Sequence, residues 1–212
     1  MKDISAIRKD YTLRTLNEQD VAPDPMTQFS NWFSEAVNAE VNEPNAMHLA
    51  TATPDGRPSG RVVLLKGLED GAFTFYTNFQ SHKGKELEAN PLCCLTFFWP
   101  ELERQVRIEG TAARVADDIA DGYYNSRPLA SRIGAWASPQ SAVIAGRDIL
   151  ESRYRELEKK YATEQPLRPK QWGGYSVTPS LIEFWQGRAG RLHDRLQYSR
   201  TADGWQLHRL AP

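Results

Sequence analysis

Cysteine is scarce in this sequence, and the way it occurs excludes two kinds of site. Only two of the 212 residues are cysteine, and these two, Cys93 and Cys94, are neighbours in an apolar run. Adjacent side chains of a strand point to opposite faces, so the pair suits neither a disulfide bond nor a shared metal site. We therefore expect both thiols to lie in a sheet, with no metal bound, in a reducing cytoplasmic location.

Long apolar runs and an excess of basic charge are missing as well. No stretch approaches the run of about 18 apolar residues that a membrane-spanning helix needs. The segment Met1 to Ser5 is too polar for a signal peptide. The net charge at pH 7 is −1, whereas nucleic-acid binders usually carry a basic excess that neutralises phosphates. The sequence thus predicts neither a membrane nor a nucleic-acid partner.

Several familiar catalytic motifs are also missing. The sequence contains no G-x-G-x-x-G, P-loop, H-E-x-x-H or C-x-x-C pattern. Dinucleotide, nucleotide, zinc-protease and dithiol interpretations therefore lack their usual support. A nucleophile elbow is missing too, so a Ser–His–Asp triad lacks its usual marker.

What the sequence does contain is a series of short β-rich runs separated by hairpin signals such as Asp70-Gly71. The predicted strands are 46–53, 58–66, 72–77, 92–99, 104–115, 174–185, 190–199 and 205–210, and the predicted helices are 25–41, 81–89, 117–124 and 140–161. This pattern is typical of a mainly β protein, an antiparallel sheet that closes into a barrel with helices outside. Residues 1–24 are polar and predict a mobile arm in front of a single domain, 25–212.

One predicted strand carries three nitrogen-rich side chains at alternate positions. Arg191, His193 and Arg195 would share one face of the strand 190–199, because strand side chains alternate between faces. Placing them together favours a bound anion. A solvated strand face is the alternative, and the pattern alone leaves both open.

Three other segments offer groups that suit an anion. The apolar run from Arg61 to Lys66 has cationic ends that either reach the rim of the sheet or contact a ligand. Gln140 and Ser141 would lie at the start of the helix 140–161, where free N–H groups favour an anion. Every helix has such an end, so this signal is weak by itself.

The third segment is Tyr123, Arg127 and Ser131, which surround a predicted helix end. Pro128 predicts a break after Arg127. A guanidinium between two hydroxyls suits a phosphate, although an ordinary helix end explains the pattern equally well. Together these clusters predict a small barrel that binds phosphorylated ring compounds.

Beyond these patterns, the sequence resembles a known family along nearly its whole length. Glu183-Phe184-Trp185-Gln186-Gly187 followed by Arg191-Leu192-His193-Asp194-Arg195 is similar to the signature of the pyridoxine/pyridoxamine 5′-phosphate oxidases. The same order and spacing continue through Tyr76-Thr77, Ser126-Arg127-Pro128, Gln140-Ser141, Trp172-Gly173-Gly174 and Arg209-Leu210-Ala211-Pro212.

The resemblance implies an FMN-binding split β-barrel that forms a homodimer, with FMN between the subunits and a dimerisation region at about 172–212. It implies oxidation of pyridoxine or pyridoxamine 5′-phosphate by O2 to pyridoxal 5′-phosphate, with release of H2O2 and, from the amine, NH3.

Matched position by position, the resemblance also implies site residues. FMN contacts would fall on Arg61, Val62, Val63, Leu64, Leu65, Lys66, Tyr76, Thr77, His82, Lys83, Gln105, Gln140, Ser141, Trp185 and Arg195. Substrate contacts would fall on Arg8, Tyr11, Lys66, Tyr123, Arg127, Ser131, Arg191 and His193, the last two being the candidate catalytic residues. His82 departs from the Arg that relatives commonly carry, and a neutral imidazole would weaken that contact.

Two other interpretations stay open. A split-barrel flavin oxidase of the phenazine-pathway type resembles the Arg-Leu-His segment, but such relatives typically lack Lys66 and the set Tyr123, Arg127 and Ser131. A non-catalytic protein that binds flavin or pyridoxal phosphate is the more distant interpretation, and it would produce no peroxide.

Overall fold

A curled antiparallel sheet of eight strands organises the protein. The structure is a computed structural model that describes residues 3–6 and 10–212. The strands are β1 Ala46–Ala52, β2 Pro58–Leu64, β3 Phe73–Asn78, β4 Leu92–Trp99, β5 Arg104–Arg114, β6 Trp172–Gln186, β7 Asp194–Thr201 and β8 Gly204–Leu210. The helices are α1 Pro25–Asn38, α2 His82–Ala89, α3 Asp117–Ser126, α4 Leu129–Ala137 and α5 Arg147–Lys160.

Strand β6 pairs with three other strands of this sheet. The strand order is β2-β1-β4-β5-β6-β7-β8, with β3 paired to β6 outside this path. The first half of β6 pairs with β3 and the second half with β7, while β5 follows both halves. A bulge between Glu109 and Gly110 bends this long ladder. A side chain at position 110 would collide with the carbonyl oxygen of Thr178, so glycine is required there.

The sheet curls toward a barrel but leaves a seam. After β2, the Lys66 N–H donates to the Thr74 carbonyl at 2.8 Å, and Gly67 forms an isolated bridge with the same residue. Within the described residues no regular ladder joins β2 to β3. The predicted closed barrel is therefore a barrel with a gap, because β2 ends at Leu64 and leaves only these contacts.

Helix α1 covers the open side of the sheet with aromatic side chains. Asp24 begins the helix by accepting a hydrogen bond from the Thr27 N–H at 2.8 Å, as its N-cap pattern predicts. Phe29 is fully buried, and its ring centroid lies 4.9 Å from that of Phe73 and 5.0 Å from that of Phe97. These contacts join α1 to the interior of the curled sheet.

The predicted helix 140–161 is wrong in its first turns. Helix α5 begins only at Arg147, after an extended Gly146. Ser141 has a φ of 70°, which a right-handed helix does not allow, and a turn joins the Ala142 N–H to the Pro139 carbonyl at 2.9 Å. Helix α4, which the sequence pattern does not predict, begins directly after Pro128, and the predicted break after Arg127 is confirmed.

Membrane-spanning helices are not found in the part of the chain that the structure describes. Within residues 3–6 and 10–212, none of the helices combines the length and the apolar content that crossing a bilayer requires.

We expect Phe29→Ala to lower the free energy of unfolding by about 3–5 kcal/mol, because it leaves a cavity among buried aromatic rings. Denaturant unfolding at one fixed protein concentration measures the change. Val37→Ala on the same helix is the matched control: this side chain is 50% exposed, and we expect a change within about 0.5 kcal/mol. Equal losses in the two variants would contradict this account of the core.

Candidate active site

A cavity of about 630 Å³ opens between β2, β3 and the helices α3 and α4. Its lining is Arg61, Val62, Val63, Leu64, Lys66, Tyr76, Thr77, Asn78, Lys83, Tyr123, Arg127, Ser131, Gly134, Ala135, Ser138, Gln140 and Trp172. Three segments with predicted anion-binding groups, remote in sequence, therefore meet around one space. Leu65 is buried in the core instead, and Ser141 follows Gln140 on an exposed turn.

Three parallel aromatic rings form one wall of this cavity. The ring centroids of Tyr76 and Tyr123 are 3.8 Å apart with an interplanar angle of 19°. Trp172 lies 5.5 Å from Tyr76 and within 13° of parallel. Sequence reasoning gave Trp172 no role, although the adjacent Gly173 and Gly174 marked the segment. At Gly174 a side chain would collide with the Tyr76 ring, so glycine permits the close approach.

Arg127 extends from the end of α3 to the edge of this wall. Its guanidinium carbon lies 4.7 Å above the Trp172 ring, which favours a cation. Its Nη1 is buried and has no hydrogen-bond partner among the described residues. Burial lowers the pKa of Arg127, but a guanidinium stays charged in proteins. A buried charged donor without a partner is costly, so this position suits an anion.

A second cationic group, Lys83, lies on the other side of the cavity. Its Nζ is 3.3 Å from the Thr77 hydroxyl and 3.4 Å from Oε1 of Gln140, both neutral acceptors. Burial, and then the nearby charge of Arg61, lowers the pKa of Lys83. Two cations that repel one another favour an anionic ligand nearby.

Arg61 is fixed by a buried carboxylate that sequence reasoning missed. Glu86 Oε2 accepts hydrogen bonds from Arg61 at 3.2 Å and from the Thr51 hydroxyl at 2.6 Å. Burial alone would raise the pKa of Glu86, but hydrogen bonds from Ser59 and Thr51 lower it. Glu86 lies on α2, far from Arg61 in sequence, so no local pattern reveals the pair.

His82, another predicted FMN contact, lies beside the same carboxylate. Its Nε2 is 2.9 Å from Glu86 Oε1, and its side chain is 67% exposed. It is not part of the cavity lining formed by the described residues.

A second group of predicted residues lies on the other end of the sheet. Gln105, Trp185 and Arg195 are direct cross-strand partners on β5, β6 and β7, so their side chains share one face. Arg195 donates from Nε to Oε1 of the buried Glu183 at 2.7 Å. The carboxylate holds this guanidinium in place next to the indole ring.

The predicted strand 190–199 is wrong over its first four residues. Strand β7 begins at Asp194, and Ala189–Arg191 forms a 3-10 turn. Gly190 and Arg191 have φ values of 62° and 63°, which reverse the chain direction. Arg191, His193 and Arg195 therefore do not share a strand face, although the turn keeps His193 close to Trp185, with ring centroids 4.7 Å apart.

The N-terminal segment packs on this second group. The Tyr11 ring lies 5.6 Å from that of Trp185 and 5.8 Å from that of His193. The N–H groups of Thr12 and Leu13 both donate to Glu103 Oε2, at 2.9 and 3.0 Å. Arg8, the other residue predicted in this segment, lies outside the described residues.

The two groups are far apart within one chain. Trp172 begins β6, and Trp185 is next to its last residue. At a rise of about 3.3 Å per residue, they lie roughly 40 Å apart along the strand. None of the second group lines the cavity of the same chain, so within the described residues the two groups form separate sites.

Comparison with known proteins gives consistent results over the whole chain. Residues 33–161 match the family model described as pyridoxamine 5′-phosphate oxidase. Residues 172–212 match the model described as pyridoxine 5′-phosphate oxidase C-terminal dimerisation region. A curated relative from Cupriavidus taiwanensis, named pyridoxine/pyridoxamine 5′-phosphate oxidase, is 54% identical over 213 residues, which cover 100% of both chains.

Two solved structures are also similar. PhzG from Burkholderia lata, in complex with tetrahydrophenazine-1-carboxylic acid, is 32% identical with a TM-score of 0.88, covering 94% of this chain and 99% of the other. A pyridoxamine 5′-phosphate oxidase-related, FMN binding protein from Nostoc punctiforme has a TM-score of 0.71 at 18% identity, covering 91% and 99%. This second likeness confirms the predicted split-barrel fold. With two family models and a full-length relative in agreement, the chain belongs to the pyridoxamine 5′-phosphate oxidase family of enzymes.

Proposed function

We propose that this enzyme uses FMN and O2 to oxidise pyridoxine 5′-phosphate and pyridoxamine 5′-phosphate to pyridoxal 5′-phosphate. The alcohol yields H2O2, and the amine consumes water and yields H2O2 and NH3. The observation that carries the proposal is the buried Nη1 of Arg127, unpaired within the described residues and located in the cavity with Tyr123, Ser131 and Lys66. A substrate phosphate supplies the acceptors that this donor needs.

The remaining cations of the cavity fit the phosphate of FMN. Lys83 and the Thr77 hydroxyl both lie within hydrogen-bond distance of Gln140 Oε1, and Arg61 lines the same cavity. Burial that lowers the pKa of Lys83 also strengthens its attraction for an anion, because the local dielectric constant is low. When bound, the flavin supplies two-electron redox chemistry, and the protein supplies binding and orientation.

A second copy of the chain would complete the site. The residues of the second group lie too far from the cavity of their own chain to reach it, so we propose that they serve the cavity of the partner. These residues are Gln105, Trp185, Arg195, Arg191 and His193. The match to a dimerisation region supports a homodimer. Val62 and Phe98 are 67% and 54% exposed on β2 and β4, and a partner subunit would cover such apolar side chains.

In this arrangement the phosphate contacts are remote from the reacting carbon. Lys66, Tyr123, Arg127 and Ser131 anchor the substrate, and that binding energy holds its 4′ carbon in place for oxidation. Arg191 and His193 contact the ring, and the segment around Tyr11 covers it.

A phenazine-type ring compound is the alternative substrate, and the likeness to PhzG favours it. The unpaired, buried donor of Arg127 supports a phosphorylated substrate instead, because a phosphate offers more acceptor oxygens than a carboxylate to the donors grouped here, Arg127, Lys66, Tyr123 and Ser131.

We expect Arg127→Gln to raise KM for pyridoxine 5′-phosphate by about 10- to 100-fold, the loss typical of hydrogen bonds to a charged group. The turnover number should stay within a few-fold, because Arg127 acts far from the reacting bond. Peroxide release in air measures both constants. Arg147→Gln, at an exposed position on α5, is the matched control. Wild-type protein that releases no peroxide from either B6 phosphate would refute the proposed function.

Mixing two variants that are impaired at low substrate concentration tests the shared site. In dimers that combine one Arg127→Gln chain with one Arg191→Ala chain, one of the two sites has only wild-type residues if the halves come from different subunits. Refolding an equal mixture should then recover about a quarter of wild-type activity at low substrate concentration, because half of the dimers are mixed. Lys66→Ala mixed with Arg127→Gln, both in the same half, should recover none. Recovery in neither mixture would place the whole site in one chain, and equal recovery in both would contradict the assignment of Lys66 and Arg127 to the same half.

A further inference from the structure

The turn between β6 and β7 fixes the orientation of His193 through a backbone hydrogen bond. The N–H of Arg188 donates to Nδ1 of His193 at 3.1 Å. The Arg188 side chain donates from Nη1 to Oδ2 of Asp194 at 2.9 Å, which closes the turn on both sides of the imidazole.

This hydrogen bond decides which nitrogen carries the proton. A neutral imidazole has one N–H donor and one acceptor nitrogen. Because Nδ1 accepts from a backbone N–H, which cannot become an acceptor, the proton of the neutral ring must be on Nε2. A second proton on Nδ1 would face the Arg188 N–H and break the bond, so the geometry favours the neutral ring.

The surroundings of His193 also favour the neutral imidazole. Burial, and then the positive charge of Arg191, lowers the pKa of His193 below its ordinary value. Tyr11 and Trp185 cover the ring with aromatic surface. The nearest carboxylate along the chain, Asp194, is already shared by two cations, because Arg209 donates to its Oδ1 at 2.9 Å.

Asp194 also makes the turn rigid. Its Oδ2 accepts a hydrogen bond from the Leu16 N–H at 3.1 Å. The Arg209 guanidinium contacts the same segment, because it donates to the Leu16 carbonyl and to Glu18. The turn is therefore fixed to the N-terminal segment and to the last strand. This network gives the Arg188 N–H little freedom to move away from His193.

We propose that His193 serves the reaction as a neutral hydrogen-bond donor, through Nε2–H to an acceptor atom of the substrate, and not as a general base. Arg188 is the positioning residue that fixes this tautomer. The role of His193 toward substrate rests on the proposed function, whereas its tautomer is a property of the protein alone and is tested separately.

The tautomer is measured by 15N NMR of the imidazole in the intact wild-type protein at pH 8, with His193→Gln used to assign the signal. We expect a protonated Nε2 and an unprotonated Nδ1. A protonated Nδ1, or a doubly protonated ring at this pH, would overturn the proposal whatever the activity of the enzyme.

The role toward substrate is tested by two substitutions at the same position. The amide nitrogen of glutamine can occupy the place of Nε2 and donate, but it cannot accept a proton. We therefore expect His193→Gln to keep kcat/KM within about tenfold of wild type and His193→Ala to lose more, because only Gln retains the hydrogen bond. If both variants lose about 10²- to 10⁴-fold, the loss typical of a missing general base, the donor role is wrong.

The positioning role of Arg188 has a pH signature. Protonation of Nδ1 breaks its bond to the Arg188 N–H and releases the ring from its position, so kcat/KM falls as the pH drops through the pKa of His193, which burial and then Arg191 lower. Arg188→Gln removes a positive charge and loosens the turn; both changes favour protonation, so the acid limb should move to higher pH. Arg147→Gln is the matched control and should leave the limb in place. An unchanged limb together with an unchanged imidazole spectrum in Arg188→Gln would contradict the positioning role.

Discussion

The length of strand β6 is the constraint on which the rest of the structure depends. Fifteen residues of continuous strand pair with β3 at one end and β7 at the other. This pairing builds one barrel wall, and it also separates the cavity beside Arg127 from the aromatic and cationic face around Trp185. We propose that these two groups are half-sites, and the symmetry of a second copy would bring unlike halves together. The fold and the proposed dimer are therefore consequences of one element.

The cations of the two half-sites differ in how they are held. The buried carboxylate of Glu86 orients Arg61, and that of Glu183 orients Arg195. These two guanidiniums therefore keep their positions whether or not a ligand is present. Arg127 instead lies on an aromatic ring with a donor that has no partner in the described part of the chain. Preorganised cations suit a cofactor that stays bound, whereas a donor that must find its acceptor suits a substrate that is exchanged at every turnover.

The sequence predicted the parts of this architecture that depend on local patterns. The bounds of β4 agree with the prediction, and the Asp24 cap and the break after Arg127 are confirmed, because caps, prolines and alternation act over a few residues. Alternation predicts the wrong structure at Arg191, where two left-handed residues turn the chain. The role of Glu86 depends on α2 packing against β1, which brings Glu86 beside Thr51 and Arg61, a tertiary contact that no short-range pattern contains.

The turn that replaced the predicted strand changes the chemistry of His193. On a regular strand, the imidazole would share a face with two arginines, and its tautomer would depend on whichever ligand came near. In the turn, a backbone N–H occupies Nδ1 before any ligand arrives. The error of the alternation pattern is thus informative: the residues it grouped as one anion-binding face are separated into a carboxylate-held Arg195 and a His193 whose proton is fixed by its own main chain. The position of the His193 ring and its protonation state are set by the same few residues, 188 to 194.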